Sequence, residues 1–277
     1  MSSDPRAPVT EYTITPKFSP RRVVFTYRGV ISEAGIKTLC EYIDLAVDLY
    51  QPKHLAVELD SPGGSALALD YWLYRVQQWG KSGVEIDTLA DTVCASAAAL
   101  ALAFGPVGRR FAHPLTKLHF HNPRVLSSGP TEFQEHHAED FARALKASRT
   151  RMHSRLESHL IGSLGKAGFL RTLQLRSQWL LSDSCSVSST NWTQIRFDVA
   201  LRSEPTSAIE TWANQPNLDS EYADSTIAAW ERCVAEMFAR DRQVDLRYAW
   251  ALVLIDASDH LPPLIERTPT SGEREND

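Results

Sequence analysis

The sequence has no apolar run long enough to cross a membrane. Its most apolar stretch, Ala95–Phe104, is ended by Gly105, whereas a spanning helix needs about 20 apolar residues. The polar N-terminal stretch, Met1–Pro16, also lacks the apolar core of a signal peptide. These absences predict a cytoplasmic protein without a membrane partner.

Cysteine is scarce, and no excess of positive charge is present. The four cysteines, Cys40, Cys94, Cys185 and Cys233, show no CxxC spacing and lie among apolar or small residues, so we expect buried reduced thiols and no metal site or disulfide. A net charge of -5 argues against nucleic acid as a partner. The sequence also has no GxxxxGK[ST] loop, so this chain is not expected to hydrolyse ATP.

The chain is 43% hydrophobic over 277 residues, enough for one large globular domain and an appendage. In its first half, short β-branched runs alternate with helical patterns. Strands are predicted at Arg21–Tyr27, His54–Leu59, Glu85–Leu89 and Leu115–Phe120. Helices are predicted at Glu33–Leu49, Ala66–Trp79 and Ala95–Phe104, the last closed by a left-handed cap at Gly105. This alternation predicts parallel β-α-β units with helices covering a sheet.

The pattern changes after Pro123. A long polar helix is predicted over 130–160, followed by a serine-rich loop at 182–190 and a linker at 204–220. Two further helices are predicted, at Ser225–Ala239 and at Leu246–Leu254. The charged stretch from Pro262 onward is predicted to be disordered.

The second predicted strand is followed by Ser61-Pro62-Gly63-Gly64. Glycine lets a chain turn tightly, and it lets a substrate carbonyl approach unpaired backbone N–H groups with no Cβ in the way. This turn could therefore form an oxyanion hole. An ordinary strand-to-helix turn has the same composition and remains an alternative.

Ser96 lies where the helix of small residues is predicted to begin. The N–H groups at a helix N-terminus stabilise developing negative charge, and alanine neighbours let a substrate backbone come close. Ser96 is therefore a candidate nucleophile. A serine that only caps the helix is the alternative, because serine is common at this position.

Two histidines follow on the last predicted strand of the first half, within Lys117-Leu118-His119-Phe120-His121-Asn122-Pro123. Alternation along a strand places His119 and His121 on one face. A neutral imidazole can accept the serine proton and return it to the leaving amine, and His121 is the better candidate because it lies nearer the break at Pro123. Metal binding by the pair has no third ligand cluster to support it, and two structural surface histidines are the remaining alternative.

Taken together, these motifs resemble the proteolytic subunit of the Clp protease family. The resemblance rests on Ser61-Pro62-Gly63-Gly64, then Cys94-Ala95-Ser96-Ala97, then Phe120-His121-Asn122-Pro123, in that order. The long helix that follows resembles the family's handle. The resemblance covers about Arg21 to Leu181 and implies an α/β fold, a Clp/crotonase-like spiral of β-β-α units with a handle helix and a helical C-terminal extension.

The domain organisation expected from this resemblance has four parts. Residues 1–20 form a flexible N-terminal segment, 21–200 the Clp protease-like catalytic domain, 201–261 a helical C-terminal extension and 262–277 a disordered tail. The extension has no counterpart in the family core.

The resemblance also implies roles for individual residues. Ser96 would be the nucleophile, His121 the general base, and the N–H groups of Gly64 and Ala97 the oxyanion hole. The family's aspartate has no clear match, because Ser177 stands at its position in Arg176-Ser177-Gln178-Trp179-Leu180-Leu181-Ser182. Asp183 is the nearest carboxylate and is taken as the orienting acid. Asp140, or no acid at all, is the alternative.

The expected function is that of a serine endopeptidase that cleaves unfolded polypeptides without a metal or organic cofactor. Membership of the family would imply a homo-oligomeric ring with an inner chamber and a separate unfoldase ATPase as partner. One alternative is an attenuated or inactive subunit that assembles with an active protease and modulates it. A second is a crotonase-like acyl-CoA enzyme, which would share the fold and the oxyanion hole.

Overall fold

The computed structural model describes residues 12–19, 22–123, 135–185, 207–214, 220–240 and 242–258. The chain forms two compact units, Met1–Leu118 and His119–Asp277. Among the described residues, no helix has both the length and the apolar character that crossing a membrane requires. The four-part division expected from the sequence stays a prediction, and its tail, 262–277, lies outside the described residues.

The first unit alternates strands and helices. Its elements are β1 (Tyr12–Ser19), β2 (Arg22–Gly29), α1 (Glu33–Tyr50), β3 (His54–Ser61), α2 (Ala66–Lys81), β4 (Glu85–Ala95), α3 (Ala97–Ala103) and β5 (Arg110–Ala112). Strands β2, β3 and β4 pair in parallel, and β5 pairs in parallel with β4. The parallel β-α-β units predicted from the sequence are therefore confirmed, while their arrangement as a crotonase-like spiral stays a prediction.

Strand β1 was not predicted from the sequence. It occupies part of the N-terminal segment and pairs antiparallel with β2 along its whole length, from Tyr12 opposite Gly29 to Ser19 opposite Arg22. Most of its described side chains are exposed, and it contains Pro16. An edge strand of this kind lacks the apolar alternation that sequence patterns detect.

The core of the first unit includes strand β3 and the apolar face of helix α1. In β3, Leu55, Ala56 and Val57 are all completely buried, as expected for a parallel strand covered on both faces. In α1 the buried residues include Ile36, Leu39 and Ile43, at the three- and four-residue spacing seen in the sequence.

The left-handed cap predicted at Gly105 is wrong. Helix α3 ends at Ala103 with the right-handed Phe104 as its C-cap, and Gly105 is not among the glycines that have a positive φ. Gly105 meets a steric need instead, because a Cβ on it would lie 2.9 Å from the hydroxyl of Thr88 and 3.0 Å from the carbonyl oxygen of Leu102. The chain leaves α3 in contact with the sheet, and only glycine leaves room for that approach.

The second unit is mainly helical. Strand β6 (Lys117–Phe120) crosses the division between the units, and it is followed by α4 (Glu135–Cys185), α5 (Ser207–Asn214), α6 (Ser220–Ala239), β7 (Arg242–Val244) and α7 (Leu246–Ala251). The long helix is confirmed and is longer than predicted. It is interrupted at Gly165, which has a φ of 72° and a ψ of 157°.

Two loop predictions in this unit are corrected. Residues 182–185, predicted as loop, continue α4, and α5 lies inside the predicted linker at 204–220. Residues 186–190 lie outside the described part of the chain. Helix α5 buries Ile209 and Trp212 within its unit, so tertiary packing outweighs the nearby prolines that suggested a linker.

A buried arginine links α4 to the last described segment. Arg176 is completely buried, and its guanidinium donates hydrogen bonds to the carbonyl oxygens of Trp250 at 2.6 Å and Ile255 at 2.7 Å. The carboxylate of Asp256, also completely buried, lies 3.5 Å away. A buried charge of this kind is tolerated because it is both paired and hydrogen-bonded.

Candidate active site

The turn after β3 is held by the hydroxyl of Ser61. This side chain is completely buried, and its Oγ accepts a hydrogen bond from the N–H of Gly63 at 3.0 Å. The next residues pair with the chain before α1, since Ile31 N–H donates to the Gly63 carbonyl and Ser65 N–H donates to the Ile31 carbonyl, each at 2.8 Å. The turn is therefore fixed on both sides.

Gly63 and Gly64 are required by this geometry. Their φ values are 98° and 153°, in the region that favours glycine. A Cβ on Gly63 would lie 2.4 Å from the Cβ of Ser96 and 3.0 Å from the N of Ala97, and a Cβ on Gly64 would lie 2.1 Å from the Ile31 carbonyl oxygen. The glycine-rich turn thus lies directly against Ser96, as the sequence motifs suggested.

Ser96 occupies a strained turn between β4 and α3. Its φ of 55° and ψ of -121° lie outside the conformations that residues with a Cβ usually adopt, and such strain costs about 1–3 kcal/mol. The Ser96 side chain makes no hydrogen bond that caps α3. The alternative that Ser96 serves only as a helix cap therefore loses its physical basis, since capping requires that bond.

Two backbone N–H groups near Ser96 are not used by the fold. Within the described part of the chain, neither the Gly64 N–H nor the Ala97 N–H donates a hydrogen bond, while that of Gly63 is taken by Ser61. Ala97, Ala98 and Ala99 are buried and small, so α3 begins without bulky side chains. N–H groups of this kind can bind a negatively charged oxygen beside a hydroxyl.

The thiol two residues before Ser96 is not a competing nucleophile. Cys94 is fully buried, and this burial strongly raises the pKa of its thiol, with a smaller contribution from the nearby Asp60 carboxylate. Cys40, Cys94 and Cys233 are all free and buried, as predicted, and the side chain of Cys185 lies outside the described atoms. A thiol kept protonated in this way is unreactive.

His121 follows directly after β6, in the second unit. Its Nδ1 lies 2.7 Å from the carbonyl oxygen of Asn122, and its ring centroid lies 5.6 Å from that of His119. The two histidines are neighbours, as the sequence predicted. Among the described residues, no group of three or more His, Cys, Asp or Glu side chains could hold a metal ion.

The residues considered for the position of the orienting acid have different surroundings in the structure. Ser177 is completely buried and donates a hydrogen bond to the Leu173 carbonyl at 2.7 Å, within α4. Asp140 is exposed and forms a 3.1 Å ion pair with Arg143 on the same helix. Asp183 lies in the last turn of α4, and its side chain is outside the described atoms. Of the described carboxylates, none is hydrogen-bonded to His121.

Sequence reasoning missed two side chains that shape the site. Asp60 and Ser61 both lie at the glycine-rich turn in the sequence, but the motif predicts no role of its own for either side chain. The Asp60 carboxylate accepts a hydrogen bond from the Val93 N–H at 3.0 Å, where the pairing of β3 with β4 shifts register. A polar pair at the end of an apolar strand is the signal that could have identified them, because buried polar groups need partners.

The described fold is that of a mixed α/β protein in which a glycine-rich turn packs against a strained serine. Comparison of the sequence with known families identifies a match to the Clp protease model over residues 7–164. This stretch is more than half of the chain, so the protein belongs to the Clp protease family.

Three characterised relatives are similar to this chain over shorter stretches. They are the ATP-dependent Clp protease proteolytic subunit 6, chloroplastic, of Arabidopsis thaliana (28% identical), the proteolytic subunit of Porphyromonas gingivalis (32%) and the proteolytic subunit 4 of Streptomyces avermitilis (33%). The matches cover 40%, 34% and 42% of this chain. They cover 40%, 41% and 49% of the respective relatives, so the chain spans less than half of their length.

Proposed function

We propose that this protein is a serine endopeptidase of the Clp proteolytic subunit type, which cleaves unfolded polypeptides by acyl transfer. The observation that carries the proposal is the strained backbone of Ser96, with Gly63 in contact with its Cβ. Strain at Ser96, beside two N–H groups that donate no hydrogen bond within the described part of the chain, does not stabilise the fold. Such strain is typical of residues held in position for chemistry.

In the proposed mechanism, the Ser96 hydroxyl attacks the peptide carbonyl and its proton passes to His121. The N–H groups of Gly64 and Ala97 hold the negatively charged oxygen of the tetrahedral intermediate. When this intermediate collapses, the C–N bond breaks and His121 returns the proton to the leaving amine. Water then attacks the acyl-serine ester with His121 again as base, and no cofactor takes part.

The orienting acid in this proposal is Asp183, as the sequence suggested. It belongs to the same unit as His121, and it is the nearest carboxylate in sequence to the position held by Ser177. A carboxylate there would stabilise the imidazolium that forms during attack.

We further propose a homo-oligomeric ring in the cytoplasm, with the Ser96 sites facing an inner chamber and a separate ATPase that unfolds substrates. The names of the relatives describe ATP-dependent proteolytic subunits. Large apolar side chains are exposed on α1 and α2, among them Leu49, Leu67 and Tyr74, at 64%, 70% and 56%. Exposed apolar surface of this extent is typical of protein contacts.

The test is labelling of the purified protein with a fluorophosphonate probe, together with turnover of an unstructured polypeptide. We expect the wild type to be labelled, S96A to be unlabelled and H121A to be labelled at least about 100-fold more slowly, because general base catalysis contributes that much. S182A, a surface serine on α4, is the control and should be labelled like the wild type. Equal labelling of S96A and wild type would refute the assignment.

A second candidate function is supported by Ser177, the residue at the position of the family's orienting aspartate. Ser177 is buried and bonded within its own helix, and the described carboxylates do not contact His121. This arrangement favours an attenuated subunit that assembles with an active Clp-type subunit and modulates it. Co-purification with such a subunit, together with no turnover by the isolated protein, would select this function over the first.

A further inference from the structure

The hydrogen bond made by His121 determines which of its nitrogens carries the proton. Its Nδ1 lies 2.7 Å from the Asn122 carbonyl oxygen, and a carbonyl oxygen can only accept. Nδ1 must therefore donate, which leaves Nε2 of the neutral ring without a proton. This is the tautomer that a general base needs when it takes a proton at Nε2.

Asn122 is itself held by α6, through the N–H of its peptide bond with His121. Its N–H donates to the carbonyl oxygen of Phe238 at 3.2 Å. Phe238 lies in the last turn of α6, where carbonyl groups have no partner within the helix and can accept bonds from elsewhere. The next residue is Pro123, which favours an extended conformation at Asn122. The peptide groups before and after the Cα of Asn122 are therefore both restricted.

The Phe238 ring fixes this end of α6 against the strand that carries His121. Phe238 is 1% exposed, and its ring centroid lies 5.1 Å from that of Phe120 and 5.2 Å from that of His153. All of these residues belong to the second unit. Phe238 lies outside residues 7–164, the stretch that matches the family model.

We propose that Phe238 is a positioning residue for His121: it anchors the backbone of Asn122, whose carbonyl fixes the Nδ1–H tautomer. The peptide carbonyl then performs one task of an orienting carboxylate, that of setting the tautomer, while it contributes no negative charge. The catalytic part of this inference rests on the proposed function. It gives helix α6, which the family match does not include, a role at the site.

The tautomer can be measured directly by solid-state ¹⁵N NMR on the full-length protein labelled with ¹⁵N-histidine, at a pH where the ring is neutral. Resonances absent from His121→Gln identify His121. We expect the Nδ1–H tautomer in the wild type and a mixture of both tautomers in Phe238→Ala. Phe238→Leu, which keeps an apolar side chain at the position, should restore the wild-type tautomer.

The matched control is Met237→Ala, which truncates the neighbouring buried side chain of α6. It should lower the melting temperature about as much as Phe238→Ala while leaving the tautomer of His121 unchanged. If Phe238→Ala does not fold, Phe120→Ala truncates the other side of the same contact and should shift the tautomer in the same direction. The proposal is overturned by an Nε2–H tautomer in the wild type, or by an unchanged tautomer in the alanine variants of Phe238 and Phe120 that fold.

A second readout separates this inference from the proposed function. The rate of fluorophosphonate labelling at Ser96 should fall about 10- to 100-fold in Phe238→Ala and remain at the wild-type value in Met237→Ala. If the wild type is not labelled but the tautomer responds to Phe238, the positioning role stands and the peptidase proposal fails. If the wild type is labelled and the tautomer does not respond, the positioning role fails alone.

Discussion

At Ser96 the backbone has a conformation that suits glycine better than serine. The strain of its φ of 55° and ψ of -121° is retained in S96A, because alanine also has a Cβ. In S96G the strain is relieved, although glycine costs part of this gain through the entropy of the unfolded chain. We expect S96G to be more stable than S96A by about 1 kcal/mol in urea unfolding, and neither variant to be labelled by a fluorophosphonate. Equal stability of the two variants would show that the turn is not strained.

Single residues were the most predictable part of the site. The order of Ser-Pro-Gly-Gly, Ser96 and His121 along the sequence located the candidate nucleophile, base and oxyanion turn. The bonds that shape the site were not predictable, because they join residues distant in sequence, such as Asp60 with Val93 and Asn122 with Phe238. Partners of this kind depend on register and packing, which a local pattern does not determine.

Within α4, two nearby glycines are expected to respond oppositely to the same substitution. Gly165 has a φ of 72°, so G165A forces alanine into the left-handed region and should destabilise the protein by about 1–3 kcal/mol. Gly162 has open space around its Cβ position and an ordinary helical conformation, so G162A should stabilise it by about 0.5–1 kcal/mol. Thermal unfolding measures both changes. A stabilising G165A would mean that α4 is continuous there.

A pair of carboxyl groups joins α4 to α6. Burial raises the pKa of Glu157, and the hydrogen bond with Glu231 and the repulsion from its charge raise it further. The folded state therefore binds this proton more tightly than the unfolded chain does. Its stabilising contribution is present below the ordinary glutamate pKa and is lost as the pH rises through the raised value.

Replacing Glu231 with glutamine should remove the stability loss that occurs as the pH rises through the raised pKa of Glu157. We expect E231Q to raise the melting temperature by about 1–2 °C at pH 7 and to change it little at pH 4, where Glu157 is already protonated. Burial and Arg149 lower the pKa of the nearby His153, so this side chain is neutral at pH 7 and does not offset the gain expected there. The control is E236Q on the same helix, whose carboxylate faces Arg240 at 3.9 Å and which should give no such gain. Equal gains at both pH values would contradict the shared proton.

Elements with a strong apolar period were predicted well, and the others were not. The stripe of α1 and the buried run of β3 appear in the sequence because each element buries a continuous face. Strand β1 was not predicted because its described side chains are mostly exposed. It forms by pairing with β2, which a local sequence pattern does not reveal. Helix α5 was not predicted because its stability comes from the tertiary burial of Ile209 and Trp212.

At the scale of the whole molecule, α2 presents an apolar stripe to solvent. Leu67, Tyr71 and Tyr74 recur at four- and three-residue steps and are exposed by 70%, 39% and 56%. If the protein forms the proposed ring through this stripe, charges placed there should dissociate it. We expect the double variant L67E/Y74E to sediment as a smaller species than the wild type at equal concentration, because buried unpaired charges oppose association.

The control for this experiment is Q77E, which adds a negative charge to an exposed position of α2 beside the stripe. It should sediment like the wild type. Unchanged sedimentation of the double variant would exclude α2 from the contact between copies.

The bonds of Arg176 have a consequence for the order in which the protein forms. Its guanidinium stays charged at any physiological pH, and its bonded carbonyl groups lie 74 and 79 residues further along the chain. During synthesis, α4 leaves the ribosome long before those carbonyls do, so until then the guanidinium must remain hydrated. The interior of the second unit therefore closes only after residue 255 has left the ribosome, and a ribosome stalled before residue 250 carries a helix whose Arg176 guanidinium is still in water.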